Sequence, residues 1–209
     1  MSDLTLVLGS KNLSSWSLRP WLLMRRIGAD FDEVVIPLDQ PETGDLIRQH
    51  SPVGLVPLLK HGELTVWDSL AITEYVAELY PEAGVWPADR SERARARAFV
   101  AEMHSGFDAL RSQMPMAFKD SLPAPSTNAK LARDIERVVT IWSSLRAQYT
   151  ARGDFLLGHF TAVDAFFAPV VSRFRTYGVD IGGSAAAYLQ TIWRLPEMQE
   201  WLDAASHEG

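Results

Sequence analysis

The apolar pattern of this chain changes once, at residues 82–88. Ahead of that point, short apolar runs of strand length alternate with segments of helical spacing. Behind it every apolar run keeps helical spacing. Two such regimes in 209 residues imply two folding units. Pro81 and Pro87 bracket a stretch that holds Gly84, which suits a boundary. The expected units are residues 1–81, an α/β unit, and residues 89–209, an all-α bundle.

In the first unit, Leu4 to Leu8 reads as a buried strand that ends at Gly9-Ser10. Lys11 to Ser17 is a polar loop. Leu18 to Ile27 has helical spacing and stops at Gly28. Proline lacks an N–H and fits only the first turn of a helix, so Pro20 argues for an N-cap at Ser17. That choice leaves Ser14 and Ser15 in the loop, ahead of the positive end of a helix. Phe31 to Leu38 is the second strand, and residues 39–50 form a loop with a short helix at Asp45 to His50. Pro57 to Lys60 and Leu64 to Trp67 are strands joined by a tight turn at His61-Gly62. Ser69 to Tyr80 is a helix closed by Pro81. The order β-α-β-(α)-β-β-α gives a mixed four-stranded sheet with helices on its faces, the thioredoxin-like arrangement.

In the second unit, Asp89-Arg90-Ser91-Glu92 fits a capping box. It opens a helix predicted to run to Pro115, with Gly106 its only breaker. Residues 118–128, with Pro123 and Pro125, form a loop. Helices follow at Lys130 to Tyr149, Thr161 to Tyr177, Ala185 to Arg194 and Pro196 to Ala205.

Composition limits the partners. Hydrophobic residues make up 47% of the chain, enough for a sizeable core. The formal net charge of −6 disfavours nucleic acid and anionic membranes. No apolar run approaches the ~18 residues of a membrane span, and Met1 to Ser10 has no basic leader region. A cytoplasmic location is the expectation. There is no cysteine, which removes disulfides, thiolate metal sites and a cysteine nucleophile. The five histidines are scattered, so no metal is expected.

Three places carry chemistry. Val56-Pro57 opens a strand; a trans bond there would be an ordinary edge, and a cis bond would turn the Val56 backbone outward as a clamp for another backbone. Asp68-Ser69 is an N-cap. The same pair could also hold an amino-acid head group, with Asp68 facing an ammonium and the helix N-terminus facing a carboxylate. Ser14 and Ser15 could donate hydrogen bonds to an incoming anion such as a thiolate.

Taken together these residues resemble the cytosolic glutathione S-transferases over nearly the whole chain. Ser51-Pro52-x-Gly54-x-Val56-Pro57-Leu58-Leu59 resembles the family's cis-proline segment. Trp67-Asp68-Ser69-x-Ala71-Ile72-x-x-Tyr75 resembles its γ-glutamyl-binding turn and helix, and Thr161 to Asp164 resembles its buried capping box. The loop Ser14-Ser15-Trp16-Ser17-Leu18-Arg19 is most similar to the zeta class, with Trp16 where that class has cysteine. The resemblance implies glutathione as substrate or cofactor, a small electrophile as second substrate, and a homodimer. It implies Ser14 and Ser15 on the thiolate, Trp16 beside it, Val56 and Pro57 at the cysteinyl backbone, and Asp68 and Ser69 at the γ-glutamyl end. Leu55 departs from the polar residue frequent before Val-Pro. Met103, His104, Phe107, Arg111 and Met114 are candidates for a second-substrate wall, although core packing is the ordinary reading of Met103, Phe107 and Met114. Arg173 and Arg175 lie near the place where zeta isomerases bind a substrate carboxylate. The implied alternatives are a maleylacetoacetate-type isomerase and a non-catalytic binding protein; Leu55 and the number of tryptophans favour the last.

Overall fold

The computed structural model describes residues 2–126 and 128–208; Met1, Gly209 and the Thr127 position of the expected 118–128 loop lie outside the described residues. The chain runs β1 (Leu4–Gly9), α1 (Ser15–Arg26), β2 (Asp32–Ile36), α2 (Thr43–Arg48), β3 (Leu58–His61), β4 (Leu64–Trp67) and α3 (Ser69–Leu79). Then follow α4 (Arg90–Ser105), α5 (Asp108–Gln113), α6 (Ala129–Tyr149), α7 (Ala162–Thr176), α8 (Gly183–Trp193) and α9 (Pro196–Ser206).

The strands form one sheet in the order β2-β1-β3-β4. β1 pairs parallel with β2, as a βαβ crossover through α1 requires, and antiparallel with β3. β3 and β4 form a hairpin in which His61 pairs with Leu64, so the tight turn is Gly62-Glu63, one residue beyond the expected His61-Gly62. One sheet face buries Leu4, Leu6, Leu8 and Leu59 against α1 and α3, in a core continuous with α4 to α9. The other buries Val7, Ile36 and Leu58 under Ile47 of α2. Alternation along β1 thus supplies both faces.

Three sequence expectations need correction. The α1 helix starts at Ser15 with Ser14 as N-cap, not at Ser17. Pro20 therefore sits inside the helix, beyond its first turn. Ser14 Oγ accepts the Ser17 N–H, while the Ser17 hydroxyl accepts the Gly9 N–H at 3.0 Å. The Ser17 side chain therefore ties the helix to β1 instead of capping it. Secondly, the helix from Asp89 does not reach Pro115. It breaks at Gly106, where an added Cβ would stand 2.9 Å from the Glu102 carbonyl, and Phe107 takes a left-handed φ of 62°. The Arg111 guanidinium stitches the break by donating to the Gly106 and Met103 carbonyls. Thirdly, the second strand is shorter than Phe31 to Leu38. Phe31 turns into the main core, and Leu38 packs over Ile36 and α2.

The α7 helix is buried along almost its whole length and touches α1, α4 and α8. A helix end buried this deeply needs partners for its free N–H groups. The Val85 carbonyl accepts the Ala162 N–H, while Asp164 serves the backbone leading into the helix. The Asp164 carboxylate accepts the Leu156 and Thr161 N–H groups at 3.0 and 2.9 Å and the Tyr188 hydroxyl at 3.1 Å. Thr161 Oγ1 accepts the Val163 N–H, completing a capping box.

Burial pushes the Asp164 carboxyl up to about 6, against those hydrogen bonds. A carboxyl whose folded pKa lies above its unfolded value binds extra protons in the native state, so its contribution to stability grows as pH falls from about 6 toward 4. Asp164→Ala leaves two buried N–H groups without an acceptor and should cost about 3 kcal/mol in urea unfolding at pH 7. A loss below about 1 kcal/mol would contradict this account of the cap.

Candidate active site

The site is built where the N-termini of α1 and α3 meet beside β3. Trp16, Leu55, Val56, Pro57, Trp67, Asp68 and Ser69 line one cavity of about 450 Å³. Five of the residues singled out in the sequence, Trp16, Val56, Pro57, Asp68 and Ser69, thus face the same space, and the Val56-Pro57 bond is cis. Leu55, Trp67 and Trp16 give it an apolar rim, with exposures of 66, 45 and 37%.

Asp68 has a positive φ of 74°, a conformation that a short polar side chain tolerates when it bonds locally. Its Oδ1 accepts the Leu70 and Ala71 N–H groups, capping α3. Its Oδ2 faces outward and meets His104 Nε2 of α4 at 3.1 Å. Desolvation lowers the His104 pKa, and nearby Arg19 and Arg111 lower it further, against the opposing pull of Asp68. The imidazole is therefore neutral near pH 7, with its Nε2–H donating to Asp68. The bare Nδ1 is buried without a partner.

Ser14 and Ser15 do not line the cavity. Each is 5% exposed, just behind Trp16. Ser14 Oγ shares a 2.7 Å hydrogen bond with Ser17 Oγ. Ser15 Oγ accepts from Arg173 Nη2 at 3.2 Å. The loop leading to them is pinned from the helical side: Trp201 Nε1 donates to the Lys11 carbonyl at 2.7 Å, and Glu208 accepts the Lys11 and Asn12 N–H groups.

Of the five wall candidates, Met103, Phe107 and Met114 are buried in the core, and His104 and Arg111 reach the Trp16 ring. Arg19 is wholly buried, its guanidinium 4.1 Å from the centre of the Trp16 ring and 4.9 Å from that of Phe166. Its Nη1 is 3.5 Å from Ser69 Oγ, and its Nε and Nη2 have no partner. Desolvation, then Arg111 and Arg173, hold its pKa well below the ordinary value, and Asp68 opposes them. Burial likewise takes Arg173 down to about 10. Three guanidiniums thus gather with two carboxylates, Asp68 near Arg19 and Asp108 near Arg111, and the excess is positive.

Arg19 stood in the motif without a site role, because an N-cap at Ser17 left Trp16 in the loop and hid its relation to Arg19. With the helix starting at Ser15, Trp16 and Arg19 are three apart and share a face. Among the described residues no cluster of histidine, aspartate and glutamate could hold a metal ion, and no helix is long and apolar enough to cross a membrane.

The chain matches the family description "Glutathione S-transferase, N-terminal domain" over residues 13–79 and "Glutathione S-transferase, C-terminal domain" over residues 92–204. It is 38% identical over 80 residues to the dichloromethane dehalogenase of Methylorubrum extorquens, covering 37% of this chain and 28% of that protein. It is 29% identical over 98 residues to a probable maleylacetoacetate isomerase of Caenorhabditis elegans, covering 47% of this chain and 45% of that protein. These matches span less than half of the relatives' own lengths. A glutathione transferase homolog from Burkholderia GL BGR1, solved with bound glutathione, shares the fold with a TM-score of 0.74 at 24% identity, covering 99% of both chains.

Two outcomes check the site's structure. Ser14→Ala removes an N-cap and should cost about 1 kcal/mol in thermal unfolding, while an unchanged midpoint would deny the cap. The His104 ring protons should titrate below the ordinary 6.5, and a midpoint above 6.5 in an NMR titration would contradict the desolvation described.

Proposed function

The chain belongs to the glutathione S-transferase family, and we propose that it binds glutathione and stabilises its thiolate for attack on a small electrophile. The observation that carries this reading is the convergence of two helix N-termini and Asp68 on one cavity, with the buried Arg19 guanidinium against two of its lining residues, Trp16 and Ser69. Glutathione presents two carboxylates, one ammonium and a thiol. Ser69 and the start of α3 suit the γ-glutamyl carboxylate, and Asp68 Oδ2 suits its ammonium. The Val56 backbone takes the cysteinyl unit, and a serine hydroxyl at the start of α1 takes the sulfur. Lowering a thiol pKa from ~8.5 to ~6.5 requires about 2.7 kcal/mol of thiolate stabilisation, within reach of one or two charge-assisted hydrogen bonds. The enzyme then works by positioning and electrostatics.

In this reading the electrophile enters past His104 and Arg111, the two wall residues that touch Trp16. The helices of residues 89–209 form its side of the site and residues 1–81 hold glutathione. A homodimer in the cytoplasm belongs to the same reading.

A second reading is favoured by the two guanidiniums, of Arg19 and Arg111, that lie against the Trp16 ring. A glutathione-dependent cis–trans isomerase of the maleylacetoacetate type needs a cationic site for a dicarboxylate and does not consume glutathione. Turnover of maleylacetoacetate at catalytic glutathione concentrations would select it over the transferase. A non-catalytic role has less support than the tryptophan count implied, because Trp21, Trp142 and Trp201 are wholly buried in the core.

Calorimetric titration with millimolar glutathione tests the common premise: heat of binding is expected, and its absence would end both readings. Asp68→Asn keeps a capping oxygen and loses the charge opposite the ammonium. It should weaken glutathione about tenfold, and an unchanged affinity would remove Asp68 from the head-group site.

A further inference from the structure

Ser14 and Ser15 are adjacent hydroxyls at the start of one helix, yet the structure uses them differently. Ser14 Oγ accepts the Ser17 N–H at 3.2 Å and is bonded to Ser17 Oγ, which itself accepts the Gly9 N–H. Ser14 is spent on the cap and its anchor to β1. Ser15 has a different partner: Arg173 of α7, 158 positions away. A guanidinium has donors and no acceptor, so in the 3.2 Å contact with Arg173 Nη2 the Ser15 oxygen accepts. The single hydroxyl proton must then point elsewhere, and among the described residues no acceptor takes it.

Arg173 is built to hold that geometry. It is 4% exposed. Its Nε donates to the Met114 carbonyl at 2.8 Å and its Nη1 to the Pro169 carbonyl at 3.1 Å. With both contacts made, Nη2 has a fixed direction, and it lies on Ser15. The charged and titratable groups around it are Arg111, Arg19 and the Tyr177 hydroxyl, and the last donates to the Pro115 carbonyl. No carboxylate pairs with Arg173 among the described residues, so its field is left for an anion. A donor to a hydroxyl oxygen also polarises the O–H, which strengthens the bond that the hydroxyl can give, more so at low dielectric.

We propose that Ser15, not Ser14, is the hydroxyl that meets the glutathione sulfur, and that Arg173 is its positioning residue, donating to the Ser15 oxygen so that the proton is presented to the thiolate. This rests on the glutathione reading above. Arg19 and Ser69 repeat the arrangement in a looser form, with Nη1 at 3.5 Å from Oγ. Each serine facing an anionic end of the tripeptide thus has a buried guanidinium behind it.

The test follows glutathione thiolate absorbance in the complex against pH, with affinity measured in parallel by calorimetry. Ser15→Ala should raise the bound-thiol pKa by about 1–2 units, a ten- to hundredfold loss of thiolate at neutral pH. Ser14→Ala should leave that pKa within about 0.3 unit while lowering the melting temperature. Arg173→Met should raise the pKa by about one unit with glutathione affinity changed less than threefold. Arg173→Lys should recover part of the shift, and Arg173→Met in the Ser15→Ala background should add nothing further. The proposal is overturned if Ser14→Ala raises the pKa and Ser15→Ala does not, or if the Arg173 and Ser15 effects add in full. If the Arg173 variants do not fold, the serine pair decides alone, since a pKa unmoved by Ser15→Ala refutes the proposal. Absence of glutathione binding by the wild-type chain refutes the underlying reading, and normal binding with an unmoved pKa refutes this inference only.

Discussion

The satisfaction of the buried N-terminus of α7 by its capping box is the interaction on which the rest of the structure depends. A helix buried on all sides gains the transfer energy of its apolar residues but must leave no free backbone group dry. The capping box meets that condition: Thr161 Oγ1 and the Val85 carbonyl take first-turn N–H groups, and the Asp164 carboxylate takes the Leu156 and Thr161 N–H groups and the Tyr188 hydroxyl. The arrangement raises the carboxyl pKa, so the charge that organises the core is held there at a cost. With α7 in place, α1 has a surface to pack on, and the serines at its start acquire a fixed position. The same helix carries Arg173 to Ser15, so the element that organises the core also reaches the reacting end of the proposed site.

Charge at the site follows from that packing. Arg19, Arg111 and Arg173 come from α1, α5 and α7, and each loses solvent. Arg111 and Arg173 recover hydrogen bonds at main-chain carbonyls, whereas Arg19 keeps two buried donors without partners. Such a group is costly unless a ligand or a field uses it. The nearby rings of Trp16 and Phe166 offset part of that cost. An anionic tripeptide would offset more. That gives the zeta-like loop, with tryptophan in place of cysteine, a physical role: the ring covers a buried cation.

Local rules placed most elements and failed where a tertiary contact overrode them. Pro20 moved the expected start of α1 three residues too far, because the first-turn rule for proline considers only the helix itself. In the fold, the Ser17 hydroxyl is drawn to Gly9 of β1 and Ser14 takes the cap. Gly106 was seen as the only breaker of its helix, and it did break it. Neither glycine nor the left-handed Phe107 announces that a guanidinium four residues on will hold the gap together. Asp68 was legible as a cap because its chemistry is local. Its second oxygen was not legible, since His104 reaches it from a helix that begins after the boundary stretch.

By itself, the sequence determined the alternation that makes a four-stranded mixed sheet, the helical second half, and the cavity-lining candidates at Trp16, Val56, Pro57, Asp68 and Ser69. These are properties of short segments: periodicity, capping chemistry and turn chemistry act within a few residues. Only the tertiary structure decided which of two neighbouring serines is engaged in the cap and which faces a guanidinium. It also decided that Met103, Phe107 and Met114 serve the core while His104 and Arg111 turn to Trp16. Those outcomes depend on groups distant in the chain brought into contact, Ser15 and Arg173 across 158 positions among them, and on the removal of water that makes such contacts strong.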